Sequence, residues 1–252
     1  MKLPFIQLAS SNSLNKSGKK DTMWEALRGV IRQMALFVFL GLSGAVISAK
    51  LFEELAEGIF RKESESLDNR FGLWVHSFAN PLMDKVFKFF SALGGVGSII
   101  ILTTLSFGAL LRRNHPNAAW LIVLANGGGV VLNQVLKIIF RRSRPQLWLS
   151  TDRRLRSYSF PSGHATVSVC FCVSLSWVGY KFIKNPLVLA AWLSAMVVSV
   201  FMVGLSRVYR GVHYLTDVVG GYISGGFWMS LLLSGISIYD RLPPRQVKDM
   251  ES

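Results

Sequence analysis

Three short stretches carry side chains whose types and spacing suit work on an anion. The first, residues 137–145, reads Lys-Ile-Ile-Phe-Arg-Arg-Ser-Arg-Pro. If a helix runs through to Arg144, then Lys137, Arg141 and Arg144 fall at i, i+4 and i+7 on one face, and Pro145 discourages the helix from continuing. Three cations on one stripe need an anion between them, although basic side chains at a helix end also snorkel to lipid headgroups. The second stretch, Pro161-Ser162-Gly163-His164, opens a long apolar run. A helix N-terminus offers unpaired N–H groups and the positive end of its dipole, so Gly163 lets the backbone approach a phosphate, Ser162 donates from its hydroxyl, and His164 stands beside the bound group. Read alone, the same tetrapeptide is an N-cap followed by an incidental histidine. The third stretch, 206–217, contains Ser206, Arg207, Arg210, His213 and Asp217. His213 and Asp217 are i, i+4 at a helix start, so the carboxylate accepts a hydrogen bond from one imidazole nitrogen and leaves the other to act as a nucleophile. An aspartate one turn into a membrane helix is costly unless paired; His213 is one partner, and Arg207 is the expected counter-charge.

The elements that must position these stretches follow from the apolar runs. Hydrophobic residues make up 51% of the 252-residue chain and charged residues only 17%, which is too apolar for an ordinary soluble domain. The expected fold is all-α and polytopic, with six transmembrane helices near 34–52, 86–111, 118–140, 164–183, 187–208 and 214–239. Between the first two, residues 53–85 mix charges with Leu55, Ile59, Phe60, Phe71, Leu73, Trp74 and Phe78, the pattern of an interfacial amphipathic segment. The domain organisation read from this is a basic N-terminal cytoplasmic tail (1–33), one six-helix domain (34–239) and a C-terminal cytoplasmic tail (240–252). Six Lys or Arg before residue 33, with no apolar core near the start, argue against a cleaved secretory signal. Gly127 to Gly129 and the Gly221, Gly225 pair are read as sites of close helix contact. Cys170 and Cys172 lie two apart in one apolar run and are read as packing residues.

The formal net charge of +14 sits oddly with this apolarity. Such a balance suits nucleic acid, anionic headgroups or a phosphorylated substrate, and the spans favour the last two over nucleic acid. Short basic turns at 112–117 and 184–186 put both termini in the cytoplasm by the positive-inside rule, in a plasma or inner membrane. The segments 141–161 and 206–213 then share the opposite, non-cytoplasmic face. That face nonetheless holds Arg141, Arg142, Arg144, Arg153, Arg154, Arg156, Arg207 and Arg210. Arginines that defy the topological rule have another reason to be there, and anion binding is the obvious one.

Taken together, the three stretches resemble the signature of the type 2 phosphatidic acid phosphatase (PAP2) superfamily: Lys-x6-Arg-Pro, then Pro-Ser-Gly-His, then Ser-Arg-x5-His-x3-Asp. Lys137, Arg144, Pro145, Pro161, Ser162, Gly163, His164, Ser206, Arg207, His213 and Asp217 fill every specified position. The six-span layout is similar to the membrane-bound lipid phosphatase branch of that family. The resemblance implies that Lys137, Arg144 and Arg207 hold phosphate oxygens with Ser162 and the Gly163 amide. It implies that His213 attacks phosphorus, that Asp217 orients it, and that His164 protonates the leaving group to give a phosphohistidine. No metal and no other cofactor is implied, because lysine and arginine supply the positive charge, and this face offers no carboxylate or His/Cys cluster of metal-ligand spacing.

The expected function is hydrolysis of a phosphomonoester or diphosphate on a lipid, with phosphatidic acid, phosphatidylglycerol phosphate and polyprenyl diphosphate as candidates and membrane lipids as the surroundings. Arg153, Arg154 and Arg156 form a candidate substrate loop that leans towards a second phosphate. A phosphotransferase would use the same residues. A soluble-substrate phosphatase or a vanadate haloperoxidase of the same superfamily fits the apolar chain less well. A non-catalytic lipid- or anion-binding membrane protein needs the cations but has no use for a His213–Asp217 pair. The motifs specify no oligomeric state.

Overall fold

The computed structural model describes the backbone of residues 16–148 and 157–239, and side chains within 35–148 and 157–236. The described residues form eight helices: α1 (Lys16–Phe60), α2 (Glu65–His76), α3 (Pro81–Leu93), α4 (Val96–Arg112), α5 (Pro116–Phe140), α6 (Gly163–Phe182), α7 (Pro186–Tyr209) and α8 (Leu215–Tyr239). Five stretches are long and apolar enough to cross a membrane: Ala35–Phe60 in α1, then α5, α6, α7 and Leu215–Ile236 in α8. The pair α3 and α4, bent by 55°, makes a sixth if it is counted as one span.

That bend corrects the expectation of a continuous helix over 86–111. Apolarity runs unbroken through this stretch, but Gly94 and Gly95 interrupt the helix: Gly95 takes an extended conformation (φ −72°, ψ 152°) and serves as the N-cap of α4. Glycine costs about 1 kcal/mol relative to alanine inside a helix, so adjacent glycines are a natural place for the chain to turn. The segment between the first two spans is helical. α2 buries Asp68, Gly72 and Val75 while Leu67, Leu73 and Trp74 stay exposed, the two-sided pattern of an interfacial helix.

Local chemistry sets the other boundaries. Asn80 Oδ1 accepts hydrogen bonds from the Leu82 and Met83 amides at 3.0 Å, with Pro81 at the first helical position of α3. Asn185 and Pro186 repeat the arrangement at α7. α6 is the most enclosed span, packed against α5, α7 and α8, while α1 lies mainly along α8. Between lipid-exposed helices no hydrophobic gradient drives association, and close backbone contact has to serve instead. Gly221 and Gly225, one turn apart on α8, provide it: a Cβ at Gly221 would stand 2.6 Å from the Ser162 carbonyl, and one at Gly225 2.9 Å from that of Thr166. The α8 backbone thus lies against the opening turn of α6. The ends of α5 and α7 and the starts of α6 and α8 meet at one end of the bundle, and the turns 113–115 and 183–185 lie at the other.

Candidate functional site

α5 ends at Phe140. Arg141 caps it in a left-handed conformation (φ 47°), and the Arg141 guanidinium donates back to the Ile138 carbonyl at 2.9 Å from an exposed position. Because the helix stops before Arg144, the stripe expected through Lys137, Arg141 and Arg144 does not form, and Arg141 stays outside the site. Arg144 instead reaches inward from extended chain. Its guanidinium donates to the Val212 carbonyl at 2.7 Å, the Ser157 carbonyl at 2.9 Å and Ser157 Oγ at 3.0 Å, and lies 3.4 Å from His213 Nε2. Lys137, only 6% exposed on the last turn of α5, donates to the Tyr158 carbonyl.

One turn before Lys137, Asn133 holds the opening of α6. Its amide donates to the Pro161 carbonyl and to Thr166 Oγ1, both at 3.2 Å. The Ser162 amide donates to the Asp217 carbonyl at 2.9 Å, which ties the start of α6 to the start of α8. Ser162 is fully buried, and its hydroxyl has no hydrogen-bond partner among the described residues. An orphaned buried donor is costly, and a phosphate oxygen is the kind of group that satisfies it. His164 is part-exposed on the first turn of α6, within electrostatic reach of Arg207, His213, Arg144 and Lys137.

From α7, Arg207 is 3% exposed and donates to Ser91 on α3. Arg144 and Arg207 both lie within electrostatic reach of Lys137, and all three act on His164, so three cations crowd one site. The chain then turns at Gly211 (φ +66°), where a Cβ would stand 2.7 Å from the Trp148 indole, and delivers His213 to the start of α8. His213 Nδ1 lies 3.3 Å from Asp217 Oδ2. That oxygen also accepts from the Tyr214 amide at 2.9 Å and from the Ser159 hydroxyl. Burial pushes the His213 imidazole down to about 3, against the opposing hydrogen bond and charge of Asp217. His213 is therefore neutral near pH 7, with one nitrogen turned to the carboxylate and the other to Arg144.

The counter-charge to Asp217 is Arg142, not the expected Arg207. Arg142 donates to Asp217 Oδ1 at 2.7 Å, Thr216 Oγ1 at 2.8 Å and Asp68 Oδ2 at 2.8 Å, with its guanidinium 4.2 Å from the Tyr214 ring centroid. Asp68, on α2 and 1% exposed, also accepts from the Thr216 amide at 3.0 Å and hydroxyl at 2.6 Å. Burial opposes the charge on Arg142, but Asp217 and Asp68 together raise its pKa. Sequence reasoning missed Asp68, Ser159 and Asn133 and left Arg142 without a role. The legible signal for Asp68 was a carboxylate at i, i+4, i+7 with Gly72 and Val75 on the face opposite Leu67, Leu73 and Trp74. Arg153, Arg154 and Arg156 lie outside the described residues. Among the described residues, no three His, Cys, Asp or Glu side chains group in a way that holds a metal ion.

Known proteins share this fold and part of this sequence. Residues 118–238 match the PAP2 superfamily. A curated phosphatidylglycerophosphatase B from Bacillus subtilis is 28% identical over 186 residues, covering 72% of this chain and 88% of the relative. An undecaprenyl-diphosphatase from Sulfolobus acidocaldarius is 30% identical over 125 residues, 48% of this chain and 55% of the relative. The crystal structure of a transmembrane PAP2-type phosphatidylglycerolphosphate phosphatase from Bacillus subtilis superposes with a TM-score of 0.69 at 26% identity, over 80% of this chain and 98% of that one. The matched region begins with α5 and takes in every residue of the signature, and the structural likeness extends well beyond it. Over residues 118–238 the chain matches the PAP2 superfamily, and in sequence and fold it is similar to that superfamily's membrane-bound lipid phosphatases.

Proposed function

We propose that this protein hydrolyses a phosphomonoester or diphosphate on a lipid, without a metal, through a phosphohistidine formed on His213. The observation that carries this reading is the closeness of Lys137, Arg144 and Arg207 to a His213–Asp217 pair whose imidazole is neutral. Phosphoryl transfer asks a protein mainly for positioning and for charge stabilisation of the equatorial oxygens, and three cations with the Ser162 hydroxyl and the Gly163 amide supply both.

In the first step Nε2 of His213 attacks phosphorus while Nδ1–H donates to Asp217. The N–P bond forms as the bond from phosphorus to the lipid oxygen breaks, and that oxygen takes a proton from His164. A bound phosphate favours the protonated form of His164 that this step requires. In the second step a water oxygen attacks phosphorus, His164 accepts the water proton, the P–N bond breaks and phosphate leaves. The developing charge on the imidazole is met by Asp217 throughout.

A lipid substrate is supported by the site's place at one end of a bundle of membrane-spanning helices, where a headgroup can enter while its tails stay in hydrocarbon. Phosphatidylglycerol phosphate is the first candidate, because the relative covered over 88% of its length and the solved structure covered over 98% carry that substrate in their names. Phosphatidic acid and polyprenyl diphosphate stand behind it. The test is phosphate release by the detergent-solubilised protein from those three lipids and a water-soluble monoester, with a chelator present. Release from a lipid at a rate insensitive to the chelator is expected. A requirement for added metal, or preference for the soluble ester, would overturn the reading. The proposed topology, with the site on the non-cytoplasmic face, is tested by labelling cysteines placed at exposed Ser143 and Asn114 in intact cells; the native Cys170 and Cys172 are buried. Label at position 143 alone is expected, and label at 114 alone would invert the topology.

A further inference from the structure

Asp68 lies outside the signature and outside the matched region, yet it is buried at the site's edge and accepts three hydrogen bonds from two partners through both its oxygens. Oδ1 accepts from the Thr216 amide, so a side chain on α2 satisfies one of the orphan N–H groups at the start of α8. Oδ2 accepts from the Thr216 hydroxyl and from Arg142. The opposite edge of the Arg142 guanidinium is held by Asp217. Two carboxylates and one guanidinium therefore share a cluster whose formal charge is −1, and His213 faces the Asp217 oxygen turned away from Arg142, which also accepts from the Ser159 hydroxyl and the Tyr214 amide.

The charge count matters because Arg142 acts on Asp217 in two opposite ways. It holds the carboxylate in place, and it also cancels the negative charge that His213 needs as the imidazole becomes positive. With Asp68 present, Arg142 is divided between two anions and Asp217 keeps charge for His213. With Asp68 neutral, the guanidinium falls to Asp217 alone. We infer that Asp68 is a positioning residue for phosphoryl transfer, one that draws Arg142 off Asp217 so that Asp217 can orient and support His213. This inference rests on the role proposed for His213. It extends the working parts of the site to α2, beyond the helices that carry the motifs.

The test is a cycle of variants read by kcat, KM and the rate at which the phosphoenzyme forms. Asp68→Asn keeps the side-chain shape and an acceptor for the Thr216 amide but removes the charge. It is expected to lower kcat and the rate of phosphoenzyme formation by about 10- to 100-fold, the range seen when partners behind an active group are lost, with KM changed by less than about twofold. The decisive arm is Asp68→Asn combined with Arg142→Gln. Acting through charge, the second change removes the surplus cation, and the double variant is no slower than Asp68→Asn alone. A residue that only braces the fold gives the opposite result, a double variant slower than either single one. That outcome, or a kcat for Asp68→Asn within about twofold of the parent, overturns the inference. If Asp68→Asn does not accumulate as folded protein, Asp68→Glu and Asp68→Gln are compared. Glu should exceed Gln by about tenfold, and equal rates overturn the inference. His213→Ala separates the two levels: should it keep full activity, the proposed nucleophile fails; should it be inactive while Asp68→Asn is unaffected, only the role of Asp68 fails.

Discussion

Cations occur at both ends of the bundle, in opposite settings. At one end Lys137 and Arg207 are buried, and Arg142 and Arg144 are held by hydrogen bonds from three directions or more. At the other end Arg112, Arg113 and Lys184 are exposed on short turns, and Lys181 lies over the Trp177 ring at 3.7 Å. A count of Lys and Arg per loop treats these groups alike. Physically they differ, because exposed cations at helix ends cost little and interact with headgroups, whereas enclosed cations demand partners. The enclosed set has fewer anions than cations around the site, an imbalance that the phosphate of the proposed substrate would offset.

The comparison is broken most severely by removing the nucleophile. His213→Ala should lower phosphate release by about 10^4-fold or more, as loss of an attacking group does in other enzymes with covalent intermediates, and phosphate release from purified protein measures it. Next come the clamps: Arg144→Ala or Arg207→Ala should cost on the order of 10^2- to 10^3-fold in kcat/KM. Arg144→Lys should rescue little, because one ammonium cannot span the Val212 and Ser157 carbonyls that the guanidinium fork reaches.

A smaller effect follows from the depressed His213 pKa. The unfolded value is near 6.5 and the folded value about 3, so between them the unfolded chain binds a proton that the folded one refuses. Stability from this group is fully present above about pH 6.5 and declines as the pH falls towards 3. His213→Gln should therefore lose less in thermal midpoint than the parent between about pH 7 and pH 5, checked by melting curves in detergent. At the far end of the scale, Lys184→Ala and Arg113→Ala should change activity by less than about twofold, as exposed charges away from a site do. A loss of tenfold in either would erase the distinction between the two ends.

Much of this fold was legible because hydrocarbon imposes simple requirements. Apolar runs long enough to span gave the helices, while the Asn-Pro pairs at the starts of α3 and α7 are a local signal that hydropathy alone passes over. Hydropathy could not show the break at Gly94–Gly95, since the run stays apolar while the backbone turns. For the site, fixed spacings within helix ends exposed the motif residues, which are local. Asp68 was hidden because its partners Arg142 and Thr216 lie 74 and 148 residues away, a distance no local pattern reports. Arg141 and Arg142 illustrate the same limit at close range. The left-handed cap at Arg141 turns it out to the surface and sends Arg142 and Arg144 inward, and nothing in the run of basic residues foretells which goes where.

The central claim is that His213 carries the phosphoryl group. It is tested most directly by quenching the protein within the first turnover of a radiolabelled lipid phosphate and following the label on the protein. The expected result is a bound label that is stable in base, lost in acid, and absent from His213→Ala. An acid-stable label, or the same label persisting in His213→Ala, would contradict it.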